Sequence, residues 1–341
     1  MLKSIFKAVA VSAVAAVFSI GCGGDGNGGN STGGGGGKGD LQKWTDVEDS
    51  TLSTIYAIAY GNNRFFAVGN YGKMAYSANG ASWTAVSEST FGSTVSDVIN
   101  AIAYGGDRWV AGGVEGKMAY SSDNGVTWTA VSNSTFGRST ISGIAYGNNR
   151  FVAGGVSGKM AYSSDNGVTW TAVTDSTFGN SGVDAIVYEN NRFFAVGDDG
   201  KMAYSTDNGV TWTAVADSTI WDYTYTYNNT TYAGKEDINA IAYGNNRFVA
   251  VGGGGKMAYS ADGASWTAVA NSTFTSSIEG IAYGNNRFVA VGSSGKIAYS
   301  SDGASWTAVE DSKITSIMAI AYGNNRFIAV GPIGKMAYAD W

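Results

Sequence analysis

One phrase recurs seven times in this chain: Ile-Ala-Tyr-Gly-Asn-Asn-Arg-Phe-x-Ala-Val-Gly-x-x-Gly-Lys-Met-Ala-Tyr-Ser, with small variations. Its copies are anchored by Tyr60, Tyr104, Tyr146, Tyr188, Tyr243, Tyr283 and Tyr322. The anchors stand 44, 42, 42, 55, 40 and 39 residues apart. A period of about forty residues is that of one small antiparallel sheet per unit, which buries its faces only by stacking on its neighbours. The repeat therefore overrides length as a guide, although 341 residues would otherwise suggest two or three domains.

The third copy shows the unit. Residues 142–146 alternate as a first strand, and Gly147-Asn148-Asn149 reads as a hairpin turn, because glycine and asparagine tolerate positive φ. Residues 150–154 form a second, apolar strand. Gly155-Val156-Ser157-Gly158 turns the chain again, residues 159–163 form a third strand, and residues 170–173 a fourth. Four short strands with tight glycine turns at this period predict an all-β, seven-bladed propeller of four-stranded antiparallel blades.

Between the third and fourth strands lies Ser-x-Asp-x-Gly-x-Thr-Trp, complete at 121–128, 163–170 and 205–212. The forms ending at Trp83, Trp266 and Trp306 are one residue shorter, and the first has Asn79 for the aspartate. Ser and Asp side chains suit the turn amides, Gly takes the awkward φ, and Trp buries its ring, so each aspartate reads as a fold residue. The element resembles the Asp-box of sialidase-like propellers. The chain from about residue 41 resembles the seven-bladed relatives of that family, including photosystem II assembly-factor-like propellers. The resemblance implies the fold and no particular chemistry.

Lys43-Trp44-Thr45-Asp46-Val47 reads as a fourth strand with no blade before it, while residues 335–341 stop where the last blade needs one. The N-terminal strand is thus expected to complete the last blade and close the ring. Closure leaves no open edge, so a monomer is expected.

Lys3 and Lys7, an apolar stretch at 8–20 and Ser19-Ile20-Gly21-Cys22 read as a secretory signal over 1–21 ending in a sequence that resembles a bacterial lipobox. Cys22 is then the lipidation site. Residues 22–40, almost without apolar side chains beyond that cysteine, read as a flexible tether, and 41–341 as the propeller. The expected location is the cell envelope, lipid-anchored at the outer membrane or cell surface, or secreted if Cys22 stays unmodified.

Composition removes several chemistries. Histidine is absent, so imidazole bases and His-ligated metals are not available, and no cofactor or metal is expected. Net charge is −6, and 14 of the 21 basic residues are the Arg and Lys of the repeat, which argues against nucleic acid.

Function is sought where the copies differ. The turns between second and third strands carry Asn70-Tyr71, Val114-Glu115, Val156-Ser157, Asp198-Asp199, Gly253-Gly254, Ser293-Ser294 and Pro332-Ile333, on a face shared with the inter-blade connections. The 55-residue interval adds a hairpin at about 218–237, in which alternation is expected to put Trp221, Tyr223, Tyr225 and Tyr227 on one side, with Asn228-Asn229 as the turn and Tyr232 facing Tyr225. Because an isolated hairpin is marginal, that aromatic face is expected to lie on a neighbouring blade or to serve as a platform for sugar rings or a protein.

Those hairpin residues, with Tyr71, Glu115, Asp198 and Asp199, are the candidate ligand-binding set. The expected function is a non-catalytic binding or scaffold propeller recognising a glycan or an envelope or host protein. The alternative is a glycoside hydrolase drawing two carboxylates from Glu115, Asp198, Asp199, Asp222, Glu236 and Asp237. The seven repeat lysines stand beside the variable turns, either ringing the channel mouth or each paired with a neighbouring carboxylate or lying along a blade edge.

Overall fold

The computed structural model describes residues 43–47, 50–216, 218–227, 230–310 and 312–340. The expected leader 1–21, Cys22, the glycine-rich stretch to residue 40 and the Asn228-Asn229 turn lie outside the described residues. The protein is a seven-bladed β-propeller of four-stranded antiparallel sheets, with one further two-stranded sheet between blades four and five. Among the described residues no helix is long and apolar enough to cross a membrane.

Blade three runs Ile141–Gly147, Arg150–Gly155, Met160–Ser163 and Thr171–Ala172, paired in that order. Asn148 and Asn149 take φ of 44° and 59°, the left-handed two-residue turn whose twist matches that of the strands. Blade two makes the same turn with Gly106 and Asp107. The first strand of each blade lies along the first strands of its neighbours and so lines the axis.

The core is distributed over the seams between blades. Between blades three and four, Val152 and Met160 meet Phe178, Val183, Ile186, Phe193 and Trp212. Close approach at the axis depends on glycine. A Cβ at Gly147 would lie 1.9 Å from the Tyr188 ring, and Gly61, Gly105, Gly244, Gly284 and Gly323 meet the next blade's tyrosine in the same way.

The ring closes as the N-terminal strand implied. Thr45 pairs with Tyr338 and Asp46 with Ala337. Trp44 is buried against the last blade, and the Val47 amide donates to the Met336 carbonyl at 2.9 Å.

Candidate functional site

One face of the ring is used up by the scaffold. The Asn-Asn turns and the Ser–Asp turns meet there, and six of the repeat arginines reach a carbonyl of the next blade. Arg150 lies 4.7 Å over the Tyr162 ring and donates to the Asn208 carbonyl at 3.1 Å, and Arg192 donates to the Asp262 carbonyl at 2.8 Å. Arg326 does the same across the closure, reaching the Asn79 carbonyl at 2.5 Å.

Within each Ser–Asp turn the carboxylate holds the chain. Asp165 accepts from Ser163 Oγ at 2.8 Å, the Thr169 amide at 2.9 Å and Thr169 Oγ at 2.6 Å. Desolvation raises the Asp165 pKa, but the hydrogen bonds from Thr169 and Ser163 outweigh it and the net shift is downward. In Asp262 the amides of Ser265 and Ala264 hold the pKa at about 2. The tryptophan indole closes the turn, Trp170 Nε1 donating to the Gly167 carbonyl at 3.1 Å.

The opposite face is built differently. The turns between second and third strands are 3₁₀ turns at Asn70–Gly72, Val114–Gly116, Val156–Gly158, Asp198–Gly200, Gly253–Gly255, Ser293–Gly295 and Pro332–Gly334. Beneath them the bonds repeat from blade to blade. The Val156 amide donates to the Thr140 carbonyl, Ser176 Oγ to the Gly158 carbonyl at 2.6 Å, and Lys159 Nζ to the Phe136 carbonyl at 2.8 Å. Lys117 and Lys201 reach the Phe91 and Phe178 carbonyls likewise. These lysines are bound within the scaffold and do not ring the channel mouth.

What varies on this fixed frame is the first two residues of each turn, and the second of them, the middle residue, has a left-handed backbone. Tyr71, Glu115, Ser157, Asp199, Gly254, Ser294 and Ile333 all sit at φ between 54° and 61°. This left-handed conformation costs an L-residue about 1–2 kcal/mol, and a β-branched residue adopts it rarely. Glycine would be relaxed there, as Gly254 is. Ile333 nevertheless occupies it 86% exposed, and Tyr71 38% exposed.

A second ring of variable residues was hidden in the apolar phrase. The first strands of blades one to six carry a bulge at their second residue: Tyr56, Asn100, Ser142, Asp184, Asn239 and Glu279, with Met318 at the same repeat position in blade seven. The bulge lies on the axial strand at its loop-face end. Asn239 Nδ2 donates to the Ser277 hydroxyl at 3.0 Å and the Ile278 carbonyl at 2.8 Å of the next blade. Ser293 Oγ donates to Glu279 at 3.1 Å. Asn100 Nδ2 is buried and has no hydrogen-bond partner. The signal in sequence was the single variable letter in Ile-x-Ala/Gly-Ile, masked by the apolar run around it.

The hairpin forms from Asp222–Tyr227 and Thr230–Lys235, with Tyr225 paired to Tyr232 as the alternation implied. Trp221 departs from its expected place. It ends a 3₁₀ turn, Thr219–Trp221, capped by Ser218 Oγ, and is 0% exposed. Its ring packs beneath Gly200 in the seam core, where Phe178 serves the preceding seam. Trp221 is therefore a root of the hairpin and no part of its outer surface.

The hairpin root is clamped. Lys235 pairs with Asp222 at 2.5 Å and donates to the Ser218 carbonyl at 3.1 Å. Lys256 donates to the carbonyls of Ile220 and Asp222, and the Glu236 amide to Trp221 O at 2.8 Å. Above the root both faces are open, so of the two expected arrangements the aromatic face does not take the one packed on a blade. The rings lie on one another: Tyr223 and Tyr225 at 6.2 Å with 21° between planes, Tyr225 and Tyr232 at 5.0 Å with 15°. Tyr223 covers its cross-strand partner Gly234, and Tyr227 stands 64% exposed at the outer end.

The candidate acids separate into places. Glu115 lies in blade two. Asp198 accepts from the Gly182 amide at 2.9 Å and Asp199 from Ser181 Oγ at 2.8 Å, while Asp237 accepts from the Asp199 amide at 3.0 Å. Glu236 lies over the Gly253–Gly254 backbone, and Asp222 is in its ion pair. The carboxyls that burial pushes up are two others: Glu279, whose bonds to Ser277 and Ser293 offset part of the shift, and Glu189 on the opposite face, raised to about 7. Among the described residues no group of three or more potential ligands could hold a metal.

Solved structures with the same fold include YCF48 bound to a D1 peptide (17% identity, 88% of this chain and 96% of that one, TM-score 0.67). YCF48 from Cyanidioschyzon merolae is similar too (18%, 87% and 98%, TM-score 0.65). So is catalytically inactive virginiamycin B lyase from Staphylococcus aureus with quinupristin (13%, 88% and 99%, TM-score 0.70). At these identities the likeness concerns the fold alone. No curated protein matches the chain. The family model described as the DUF6242 beta propeller domain matches residues 138–218 and 215–340, more than half of the sequence. The chain belongs to the DUF6242 β-propeller family.

Proposed function

We propose that this protein is a non-catalytic binding propeller that recognises a protein partner through its variable loop face, with the tyrosine hairpin beside it. The observation that carries the reading is the pair Ile333 and Tyr71. Both hold a conformation that glycine would take without strain, and both are exposed. Retaining large side chains at such positions is accounted for by what they touch outside the chain.

A protein partner suits the hairpin better than a sugar. Sugar rings stack on open aromatic faces, whereas these ring faces are turned toward each other and offer edges and hydroxyls outward. The YCF48 neighbour is bound to a peptide, and the comparison supports the same class of ligand here. The lyase neighbour is inactivated by replacing a histidine, and this chain has none. The setting we propose is the bacterial cell envelope, reached through the leader at 1–21 and held by lipid on Cys22.

The test compares the full chain with a Tyr71→Gly/Ile333→Gly variant in cross-linking to envelope proteins, beside a glycan array. Partner adducts lost in a variant whose melting temperature is unchanged or higher support the reading. Adducts retained in full would sink it. A glycan bound by the native chain and lost in Tyr225→Ala would replace the protein partner with a sugar.

A further inference from the structure

Ring closure completes the last blade, and the blades keep their outer edges short: the outermost strands, such as Thr84–Ala85 and Thr171–Ala172, pair over two residues. The hairpin breaks this economy. Its sheet has only two strands, each of six residues. Residues 223–234 contain no charge and no proline, the usual guards of a free edge, in a chain whose net charge is −6. They alternate threonine with tyrosine, residues that favour strands.

The register says which backbone groups face outward. Tyr227 pairs with Thr230 across a two-residue connection, which makes them a hydrogen-bonded pair, and alternation extends this to Tyr225–Tyr232 and Tyr223–Gly234. Thr226 and Thr231 are then a close, non-bonded pair, consistent with their hydroxyls at 3.3 Å. The N–H and C=O of Thr224 and Thr226 therefore point away from the partner strand. The Thr230–Lys235 strand runs beside the Asp198–Gly200 turn, and Lys256 takes the Asp222 carbonyl, so the accessible edge is that of residues 223–227.

We propose that this edge pairs with its counterpart in a second copy of the chain, antiparallel about a two-fold axis at Tyr225. The sequence is self-complementary in that arrangement. Thr224 meets Thr226 of the second copy, with about four backbone hydrogen bonds in all. Tyr225 meets Tyr225 and Tyr223 meets Tyr227, so the stacked rings continue across the axis on one face. No like charges are brought together. Two marginal two-stranded ribbons become one four-stranded sheet, the size at which a sheet is stable by itself. The antiparallel pairing puts the two hairpin roots, and with them the two rings, at opposite ends of the joined sheet.

The experiment is sedimentation velocity on the full chain in reducing buffer, which keeps Cys22 from linking copies, over a wide concentration range. The native chain is expected to pass from monomer to twice that mass as concentration rises. Thr226→Pro removes an outward N–H, a change an edge strand tolerates. It should stay monomeric at every concentration with an unchanged melting temperature. Thr231→Pro, on the other strand, should dimerise as the native chain does. A native chain that remains monomeric throughout overturns the proposal, as does a Thr226→Pro dimer or loss of the dimer in Thr231→Pro. None of these outcomes bears on partner binding, which is read from the loop-face variant.

Discussion

The seam between blades three and four and the seam between blades four and five use the same bonds around different contents. In both, an arginine reaches a carbonyl of the next blade's Ser–Asp turn, Arg150 to Asn208 and Arg192 to Asp262. In both, a repeat lysine reaches back to the preceding connection, Lys201 to Phe178 and Lys256 to Ile220. But Gly147 at the first seam becomes Glu189 at the second, and Phe178 becomes Trp221 with a hairpin behind it. The scaffold thus tolerates departures at both ends of one seam so long as the polar cross-links persist. Glycine–tyrosine contact is one way to fill a seam, and the arginine bridge is the part kept in both.

The sharpest way to break this comparison is to ask whether the first seam accepts a side chain where the second carries one. Gly147→Leu drives a side chain into the Tyr188 ring, where even a Cβ has no room. It should destabilise the protein by about 3 kcal/mol in urea unfolding. A neutral outcome would mean that the axial glycines are incidental.

Next in size is the Ser–Asp turn. Asp165→Ala leaves the Thr169 amide and two hydroxyls without their acceptor, and a loss of about 1–2 kcal/mol is expected at neutral pH. The pH dependence has a definite sign. The folded pKa values of these aspartates lie below the ordinary value, that of Asp262 at about 2. Their contribution is therefore present above the unfolded carboxylate range and is lost as pH falls from about 4 toward 2. Melting temperature followed over that window should drop more steeply in the native chain than in Asp165→Ala.

Glu189 should show the opposite slope. Burial raises its folded pKa to about 7, so the folded state holds a proton that the unfolded state has released. Its stabilising protonation is complete below about 4.5 and disappears by about 7. Its hairpin partner Arg192 does not neutralise it, because that guanidinium lies over Phe194 and bonds Asp262. Its charge also helps to hold up the Tyr188 pKa, after burial. Glu189→Gln should melt higher than the native chain at pH 8 and indistinguishably at pH 4.5. Equal melting at pH 8 would show that water reaches the carboxylate.

The smallest effect is expected at the hairpin tip. Tyr225→Ala removes a ring stacked on its neighbours but seated on no blade, so unfolding should change by about 0.5 kcal/mol or less. A large loss would mean that the hairpin supports the seam below it.

The blade count, the strand order, the left-handed turns and the closure by Trp44 and its neighbours were legible in the sequence. They follow from local chemistry repeated at one period: glycine and asparagine where φ is positive, alternation within strands, and a surplus strand at one end matching a deficit at the other. The tertiary structure alone decided the rest. Alternation cannot show where a strand begins, and Ser218 caps a 3₁₀ turn one residue too early for Trp221 to join the tyrosines. An apolar run does not announce its bulge, so the axial ring from Tyr56 to Met318 emerged only when first strands met around the axis. The same letter at one position, Glu189 for glycine, acquires its chemistry from desolvation by neighbouring blades, and burial is a property of the assembled ring that no local pattern carries.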